Sequence, residues 1–398
     1  MGLAARLVLA AAGAAMCIAP LGCKRYSDLN PEPRATGSTG STVAFSPTDF
    51  LDASANVLDP ASVARKAAGA GYVLVGEGHP VACDHLAQAR VIALMAQAGS
   101  PPAIGLEMVG LDFQPVLDRF NQGEIALDDL AAALEWERAW GYPFAVYRPI
   151  FEAAKAGKLP VFALNAPQGV ARKVGRVGLK GLTPRERQGL PATIIPAPKV
   201  QEQDLREVFD LHPSGASEGQ RAKAWQRFVT VQSFWDTVMA SRAVQARRQT
   251  GRPVVIIAGG GHVENGWGIA SRLAVLDPDA PRLLVMPWRG GEPPETGQAD
   301  LFTYCPENLR FRLGFTLELR GSGVVVTEVE PDSKAAVAGF KEGDVIDAAG
   351  GTHVARLFDL HHAAVAAMKE DGVLRLRVLR SGTPLELAIP LEPVKAEP

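Results

Sequence analysis

The chain has 398 residues, which is long enough to bury a large core and predicts two domains. Hydrophobic residues make up 47% of the chain and charged residues 21%, a balance typical of a folded globular protein. The formal net charge of −2 excludes a strongly basic surface, so we expect no binding to nucleic acid, which depends on cations that neutralise phosphates.

Residues 1–23 have the features of an export signal peptide. Arg6 supplies a positive charge, and residues 7–18 form an apolar stretch that is too short to span a membrane as a helix. The motif that ends at Cys23 is similar to a bacterial lipobox, which predicts a lipid anchor on Cys23; cleavage of an ordinary secretory signal is the alternative. Residues 24–44 are rich in Pro, Gly, Ser and Thr, which predicts a flexible tether.

Two of the four cysteines lie beyond the leader, and the sequence leaves their state open. Cys83 and Cys305 can form a disulfide in an oxidising compartment, or both can stay reduced, because the sequence does not fix the distance between their Cα atoms. Cys83 lies between two histidines. It is therefore a candidate soft ligand, with a small buried apolar position as the alternative.

Residues 45–305 alternate strand-like runs with helical segments. The runs are short, rich in Val, Ile and Leu and bounded by Gly or Pro, as in strands buried on both faces of a parallel sheet. We therefore predict an α/β fold with a mostly parallel sheet flanked by helices. One helix is predicted from the capping-box spacing of Thr183 and Glu186. The predicted strands are 72–75, 103–106, 161–164, 254–258 and 283–286, and the predicted helices include about 82–98, 183–189 and 218–249.

Polar side chains follow four of these runs, at their carboxyl ends. In open α/β sheets, ligands bind beyond the carboxyl ends of the strands, so we expect these side chains to meet at one rim. The pattern Gly-x-x-His occurs twice, at 76–79 and 259–262, and its glycines let the backbone approach a ligand closely. The side chains are Glu77 and His79 after the first run, Glu107 after the second, Asn165 after the third, and His262 and Glu264 after the fourth.

Two imidazoles and a carboxylate, from His79, His262 and Glu107, fit two kinds of chemistry. They suit a divalent metal such as Zn²⁺ or Mn²⁺, or they can act as acid and base on a bound ligand. The glycines do not form a phosphate loop, because Lys-Ser/Thr is missing after them. No Gly-x-Gly-x-x-Gly spacing follows the first strand-like run, so a dinucleotide fingerprint is absent there as well.

The order of these motifs resembles the ChaN domain of the haem-binding uptake, Tiki superfamily. The resemblance implies an exported, often lipid-anchored protein of the cell envelope that binds haem or takes part in iron uptake, and that can form a homodimer. Some members of the wider superfamily are metal-dependent peptidases. The motifs that carry the resemblance are GEGHPVACDH (76–85), IGLEM (104–108), YRPIFEAAKAGKLPVFALNAP (147–167), QSFWDTVMA (232–240) and AGGGHVENGWG (258–268).

The resemblance also implies which residues form the site. His79, Glu107 and His262 are its core, as catalytic groups or metal ligands in a peptidase and as haem contacts in a binding protein. Glu77 and His85 match the first ChaN motif, and a solvated position in a first helical turn is the alternative for His85. The further cofactor contacts are Asn165 and, as candidate axial ligands of haem iron by residue type, Tyr142 and Tyr147, each with a packed core position as its alternative.

Residues 308–395 resemble a bacterial PDZ domain. The stretch SKAAVAGFKEGDVI (333–346) matches the short helix and the following turn of that family, and Leu313-Gly314-Phe315 matches its carboxylate-binding loop. The resemblance implies a small β-rich domain. In such a domain a peptide adds as a strand to an exposed sheet edge, and backbone N–H groups hold its terminal carboxylate.

Two functions follow, and they share the same residues. The first is a haem-binding lipoprotein whose PDZ domain docks the C-terminus of a partner. The second is a metal-dependent hydrolase whose PDZ domain presents peptide substrates. A scaffold with an inactive first domain is a third hypothesis.

Overall fold

The described part of the chain forms two β-sheets with separate cores. The predicted signal peptide, Cys23 and the predicted tether lie outside the described residues. No helix among those described combines the length and hydrophobicity of a membrane-spanning segment. The computed structural model describes residues 45–210, 217–290, 293–306, 308–311, 313–320, 323–354 and 357–391.

The first sheet is mostly parallel, as predicted. Its described strands are β1 (Phe50–Leu51), β2 (Val57–Leu58), β3 (Tyr72–Glu77), β4 (Ala103–Gly110), β5 (Val161–Asn165), β6 (Val254–Gly259), β7 (Arg282–Trp288) and β8 (Leu301–Tyr304). They lie in the order β2-β1-β8-β7-β3-β6-β4-β5. Strands β3 to β8 run parallel to one another, whereas β1 and β2 pair antiparallel at one edge.

The central strands are buried because they are apolar on both faces. Side chains alternate between the two faces of a strand. Val73 and Val75 of β3 therefore pack into one core cluster, with Ile257 of β6. Leu74 and Ile256 point to the opposite face and pack into the other cluster. Helices cover both faces, which is the layered arrangement that the sequence predicted.

The longest helix spans the residues predicted for it. Ser217 and Gln220 form a capping box at its start, and Gly251 ends it in the left-handed conformation, with a φ of 66°. The helices of this part are α1 (Pro60–Ala68), α2 (Ala82–Gln97), α3 (Gln114–Asn121), α4 (Leu127–Ala133), α5 (Trp136–Ala139), α6 (Phe144–Gly157), α7 (Val170–Val177), α8 (Lys199–Asp210), α9 (Glu218–Thr250), α10 (Gly260–Val263) and α11 (Ile269–Leu276).

The helix predicted at 183–189 is wrong, because these residues form turns. The capping contacts themselves are present: the Thr183 N–H donates to Glu186 Oε2 at 2.7 Å, and the Glu186 N–H donates to Thr183 Oγ1 at 3.3 Å. Gly189 then takes a φ of +75°, which ends the segment after a few residues. A helix this short is marginal, so the capping box stabilises a turn instead.

The second sheet is antiparallel and belongs to the small C-terminal domain. It lies in the order β15-β14-β12-β11-β10-β9, with β13 paired to β12. The resemblance implied an exposed sheet edge beside the Leu313-Gly314-Phe315 loop, and this is wrong for β10, the strand that follows the loop, because β9 pairs with it. The elements are β9 (Asn308–Phe311), β10 (Phe315–Arg320), β11 (Gly323–Val329), α12 (Lys334–Val337), β12 (Val345–Ala349), β13 (Thr352–His353), α13 (Leu357–Lys369), β14 (Val373–Arg380) and β15 (Thr383–Pro390).

A disulfide joins the start of α2 to the residue that follows β8. Cys83 and Cys305 are bonded, with their Cα atoms 5.5 Å apart. The question that the sequence left open is thereby answered, and Cys83 is not a metal or haem ligand in this state. The same helical turn is also held by Arg289, whose guanidinium donates to both carboxylate oxygens of Asp84 at 2.6 Å.

We expect the double variant Cys83→Ser/Cys305→Ser to unfold at a lower temperature. The bridge spans 222 residues, and closing a loop of that length restricts the unfolded chain by about 5 kcal/mol in the chain-entropy description. Calorimetry should show a lower midpoint for the variant. A reductant should lower the midpoint of the wild type and leave the variant unchanged. Equal midpoints for the two proteins without reductant would contradict the prediction.

Candidate functional site

Three of the predicted site residues meet at the carboxyl edge of the first sheet. His79 follows β3, Glu107 lies in β4, and His262 lies on α10 directly after β6. These strands are neighbours, so their ends lie side by side. His262 Nε2 is 3.5 Å from Glu107 Oε1. His79 and Glu107 both border Gly259, where a Cβ would lie 3.1 Å from His79 Nε2 and 3.6 Å from Glu107 Oε2.

A fully buried carboxylate holds the first imidazole. Glu77 Oε1 lies 2.8 Å from His79 Nδ1. The same carboxylate accepts a hydrogen bond from the Tyr147 hydroxyl and one from the Gln88 amide, both at 2.9 Å. Burial raises the pKa of Glu77, but its hydrogen bonds to His79 and His85 outweigh burial and lower the pKa to about 2. The anion therefore orients the ring so that His79 Nε2 faces away from it.

His85 lies behind His79 and is not a solvated residue of a first helical turn. Its ring is fully buried, with Nδ1 3.0 Å from Gln88 Oε1 and Nε2 3.0 Å from the His79 carbonyl oxygen. The ring also packs on Tyr147 at a centroid distance of 3.9 Å. His85 thus supports the turn that carries His79, and its two nitrogens are engaged within the protein.

A second carboxylate holds the second imidazole. Asp236 on α9 is fully buried, and its Oδ1 lies 2.7 Å from His262 Nδ1. Burial lowers the pKa of His262, but the charges of Glu107 and Asp236 raise it to about 9. The Asp236 carboxylate is itself held by Gln201, whose amide donates to Oδ2 at 2.9 Å, and by Arg272 at 3.5 Å.

Gly259 makes the convergence of these side chains possible. A Cβ at this position would lie 2.8 Å from His79 Cε1, closer than real Cβ contacts allow. Its backbone N–H also donates to Glu107 Oε2 at 2.6 Å. Only a residue without a side chain lets β6 come this near to the His79 ring.

Aromatic rings cover one side of His79. Trp140 and Tyr142 lie with their ring centroids 4.8 Å and 5.3 Å from that of His79. Trp136 is buried and donates its indole N–H to the Tyr142 carbonyl oxygen at 2.8 Å, which fixes the Tyr142 backbone. The two tyrosines therefore differ: the Tyr142 ring is half-buried beside His79, whereas the Tyr147 hydroxyl is buried against Glu77.

Asn165 reaches the rim but its amide is engaged with the backbone. Its Nδ2 donates to the Glu107 carbonyl oxygen at 3.0 Å, and its Oδ1 accepts the Ala166 N–H at 2.8 Å. It therefore positions Glu107. The Glu264 carboxylate accepts a hydrogen bond from the Gln298 amide, with Oε1 2.6 Å from Nε2. Burial raises the pKa of Glu264 to about 7.

The sequence analysis missed residues on other helices whose side chains hold the carboxylates of Glu77 and Asp236. Gln201 and Arg272 lie on α8 and α11, and their side chains meet one another and Asp236. The signal for Arg272 was a single charged residue in the mostly apolar stretch IASRLAVL. Gln88, one turn after His85, was the signal for the Glu77 side.

The metal site predicted from His79, Glu107 and His262 is not supported. Across the described ranges, no group of three or more His, Cys, Asp or Glu side chains is arranged to hold a metal ion. Glu107 Oε2 accepts the Gly259 N–H at 2.6 Å.

Comparison with known proteins gives a family match for each part of the chain. Residues 63–273 match the family described as "Haem-binding uptake, Tiki superfamily, ChaN", and residues 312–391 match the PDZ domain family. No curated protein sequence matches the chain.

Two solved structures are similar to the two parts. One shows cofacial haem binding to ChaN of Campylobacter jejuni; it is 18% identical, has a TM-score of 0.52, and the match covers 64% of this chain and 96% of that one. The other is the HtrA3 PDZ domain bound to a phage-derived ligand; it is 25% identical, has a TM-score of 0.18, and the match covers 22% of this chain and 88% of that one.

We expect Asp236→Asn to lower the pKa of His262. The variant removes a charge that helps to raise this pKa to about 9, and a close opposite charge shifts a pKa by about 1 to 3. The raised pKa stabilises the fold fully below the ordinary value of 6.5, and this contribution is lost as the pH rises through about 9. The variant should lose less stability over that interval.

NMR titration of the imidazole measures this pKa directly. Asp210→Asn is the matched control, because Asp210 pairs with Arg206 and Arg221 at the surface and does not contact His262. A pKa near 9 in Asp236→Asn would contradict the assigned role of the carboxylate.

We expect Gly259→Ala to displace the His79 ring and to destabilise the protein. The new methyl group would meet His79 Cε1 at 2.8 Å, and overpacking of this kind costs about 1 to 3 kcal/mol. Gly261→Ala is the control, because a Cβ there meets no atom within 4 Å. Denaturant unfolding and the imidazole NMR signals of His79 should change in the first variant and not in the second. Equal behaviour of the two variants would refute the close approach.

Proposed function

The chain belongs to the ChaN family of the haem-binding uptake, Tiki superfamily and carries a PDZ domain, and from this membership we propose that the first domain binds haem while the second docks a peptide C-terminus. One observation carries the haem proposal. Two imidazoles, each oriented by a buried carboxylate, converge with Glu107 beside the half-buried ring of Tyr142. Homodimer formation around the ligand stays a prediction.

His79, His262 and Tyr142 are the residues that we propose to hold the haem. Imidazole and phenol are both axial ligands of haem iron in proteins. The Nδ1 atoms of the two histidines are engaged by carboxylates, so their Nε2 atoms are the donors that a ligand can use. Because the pKa of His262 is raised to about 9, binding of iron at its Nε2 atom would release a proton. A bound haem would supply an iron centre that imidazole or phenol donors of this set could ligate. We do not assign Tyr147 to the iron, because its hydroxyl is buried against Glu77.

We propose a cell-envelope location for the protein. The predicted signal peptide and the predicted lipid anchor at Cys23 are the sequence features behind this proposal. The disulfide between Cys83 and Cys305 supports it, because such bonds form and persist in oxidising compartments such as the bacterial periplasm.

The loop of Leu313, Gly314 and Phe315 suits the capture of a carboxylate. The Leu313 carbonyl accepts the Ala335 N–H and the Gly314 carbonyl accepts the Glu330 N–H, both at 2.8 Å. In a planar trans peptide the C=O and N–H groups point in opposite directions. The N–H groups of Gly314 and Phe315 therefore point away from these inward-facing carbonyls, which supports the proposed role in holding a peptide terminus.

A second candidate function is hydrolysis by acid–base catalysis. Two carboxylate–imidazole pairs, Glu77–His79 and Asp236–His262, flank a third carboxylate, that of Glu107. An imidazole held by a carboxylate is suited to take up and return a proton. In this function His79 and His262 are the catalytic residues, and no metal ion is assigned to the site.

We expect hemin to bind the chain from residue 45 onwards in a saturable way, with a shift of its Soret band. His79→Ala, His262→Ala and Tyr142→Phe should each weaken binding about tenfold or more, because each removes a proposed donor worth about 1.4 kcal/mol or more. His353→Ala is the control, since that side chain is 66% exposed in the second domain. Absence of a Soret shift, together with turnover of p-nitrophenyl acetate that depends on His79, would favour the second function.

We expect the second domain to bind peptides through a free C-terminal carboxylate. A pool of random heptapeptides with free C-termini should be retained by the protein, whereas the same pool with amidated C-termini should not, because amidation removes the charge that the loop N–H groups bind. Mass spectrometry of the retained peptides measures the difference. Equal retention of the two pools would refute docking through the carboxylate.

A further inference from the structure

The strand β10 of the PDZ domain is paired along both of its edges. One edge pairs with β11 and the other with β9, in both cases antiparallel. The register places Phe315 opposite Phe311 and Glu318 opposite Asn308, so the four residues of β9 cover the first four residues of β10.

This strand has the position and direction that strand addition requires of a peptide ligand. A peptide that adds to β10 beside its carboxylate-binding loop lies antiparallel to the strand, with its carboxyl end at Leu313, Gly314 and Phe315. Strand β9 also runs antiparallel to β10 and ends immediately before this loop. The backbone groups of β10 that a ligand would pair with are therefore the groups that pair with β9.

We propose that β9, Asn308–Phe311, is a built-in competitor of the peptide ligand, so that a C-terminus can dock on β10 only after β9 has left. This inference rests on the proposed docking of peptides by the second domain. The ligand class that it names is a C-terminal peptide segment that pairs with Phe315–Glu318 through its own backbone. The competition is steric and direct, because one strand edge accepts one partner.

Strand β9 is joined covalently to its binding site, but it is short, so a peptide can displace it. A segment joined to its site by a few residues acts at an effective concentration in the millimolar range or above, so it should weaken peptide binding markedly. It offers only four paired residues, and two-stranded pairing of that length is marginal on its own. A peptide that also places its carboxylate in the loop can therefore replace it.

Two variants of the full-length chain test the proposal: one in which β9 is released from β10 and one in which β9 is held on it. The released variant is Leu309→Pro/Arg310→Pro, which removes the N–H groups of two adjacent residues of β9. In an antiparallel strand the N–H groups of alternate residues face the partner strand, so one of the two lost groups faces β10. Leu309→Ala/Arg310→Ala is the matched control. In the locked variant, Arg310→Cys/Thr316→Cys, the new cysteines occupy directly opposed positions, within the reach of a disulfide.

The probe is the pool of random heptapeptides with free C-termini, with the amidated pool beside it. We expect the released variant to retain at least about ten times more of the free-carboxylate pool than the oxidised locked variant, with the wild type and the alanine control in between. Calorimetry on each variant checks that the second domain stays folded, and mass spectrometry checks that the new disulfide forms.

The outcomes are distinct. Equal, carboxylate-dependent retention by the locked and released variants would overturn the competitor and leave peptide docking intact. Failure of the locked variant to form its disulfide would overturn the pairing of β9 on which the inference rests. Equal retention of free and amidated pools by the released variant would refute peptide docking itself, and the competitor with it.

Discussion

The site depends on two carboxylates that are buried as anions behind two imidazoles. Neither Glu77 nor Asp236 has any exposed surface. A buried carboxylate stays ionised only where hydrogen bonds and positive charge replace the water that it has lost. The groups that satisfy these anions also fix the rings, so the packing of the domain and the geometry of the site cannot vary independently. They are His79, Tyr147 and Gln88 around Glu77, and His262, Gln201 and Arg272 around Asp236.

The two halves of the site come from opposite sides of one sheet. Helices α2 and α6 supply Gln88 and Tyr147 to the first half, and α8 and α9 supply Gln201 and Asp236 to the second. The parallel strands β3 and β6 bring the two halves to the same edge, and Gly259 keeps the gap between them narrow.

The strand ends and their polar residues were predictable, because short Val/Ile-rich runs predict a parallel sheet and its topology gathers the carboxyl ends. The family resemblance added the same His79, Glu107 and His262. What the sequence could not give were contacts set by side-chain packing over long separations, such as Gln201 with Asp236 or the bridge to Cys305. Local signals also misled where tertiary context decides: the Thr183 capping box closes a turn, and β9 occupies an edge that resemblance alone describes as open.

The length of the segment between Cys305 and the PDZ domain limits how far the PDZ domain can move from the first domain. Cys305 is bonded to Cys83, and only residues 306 and 307 separate it from β9. The segment from Cys305 to the start of β9 spans roughly 10 Å at full extension. Once β9 had left β10, the free segment would run from Cys305 to Phe315 and would span roughly 35 Å. In the proposed competition, docking of a peptide C-terminus on β10 would thus more than triple the distance that the PDZ domain can move from Cys305.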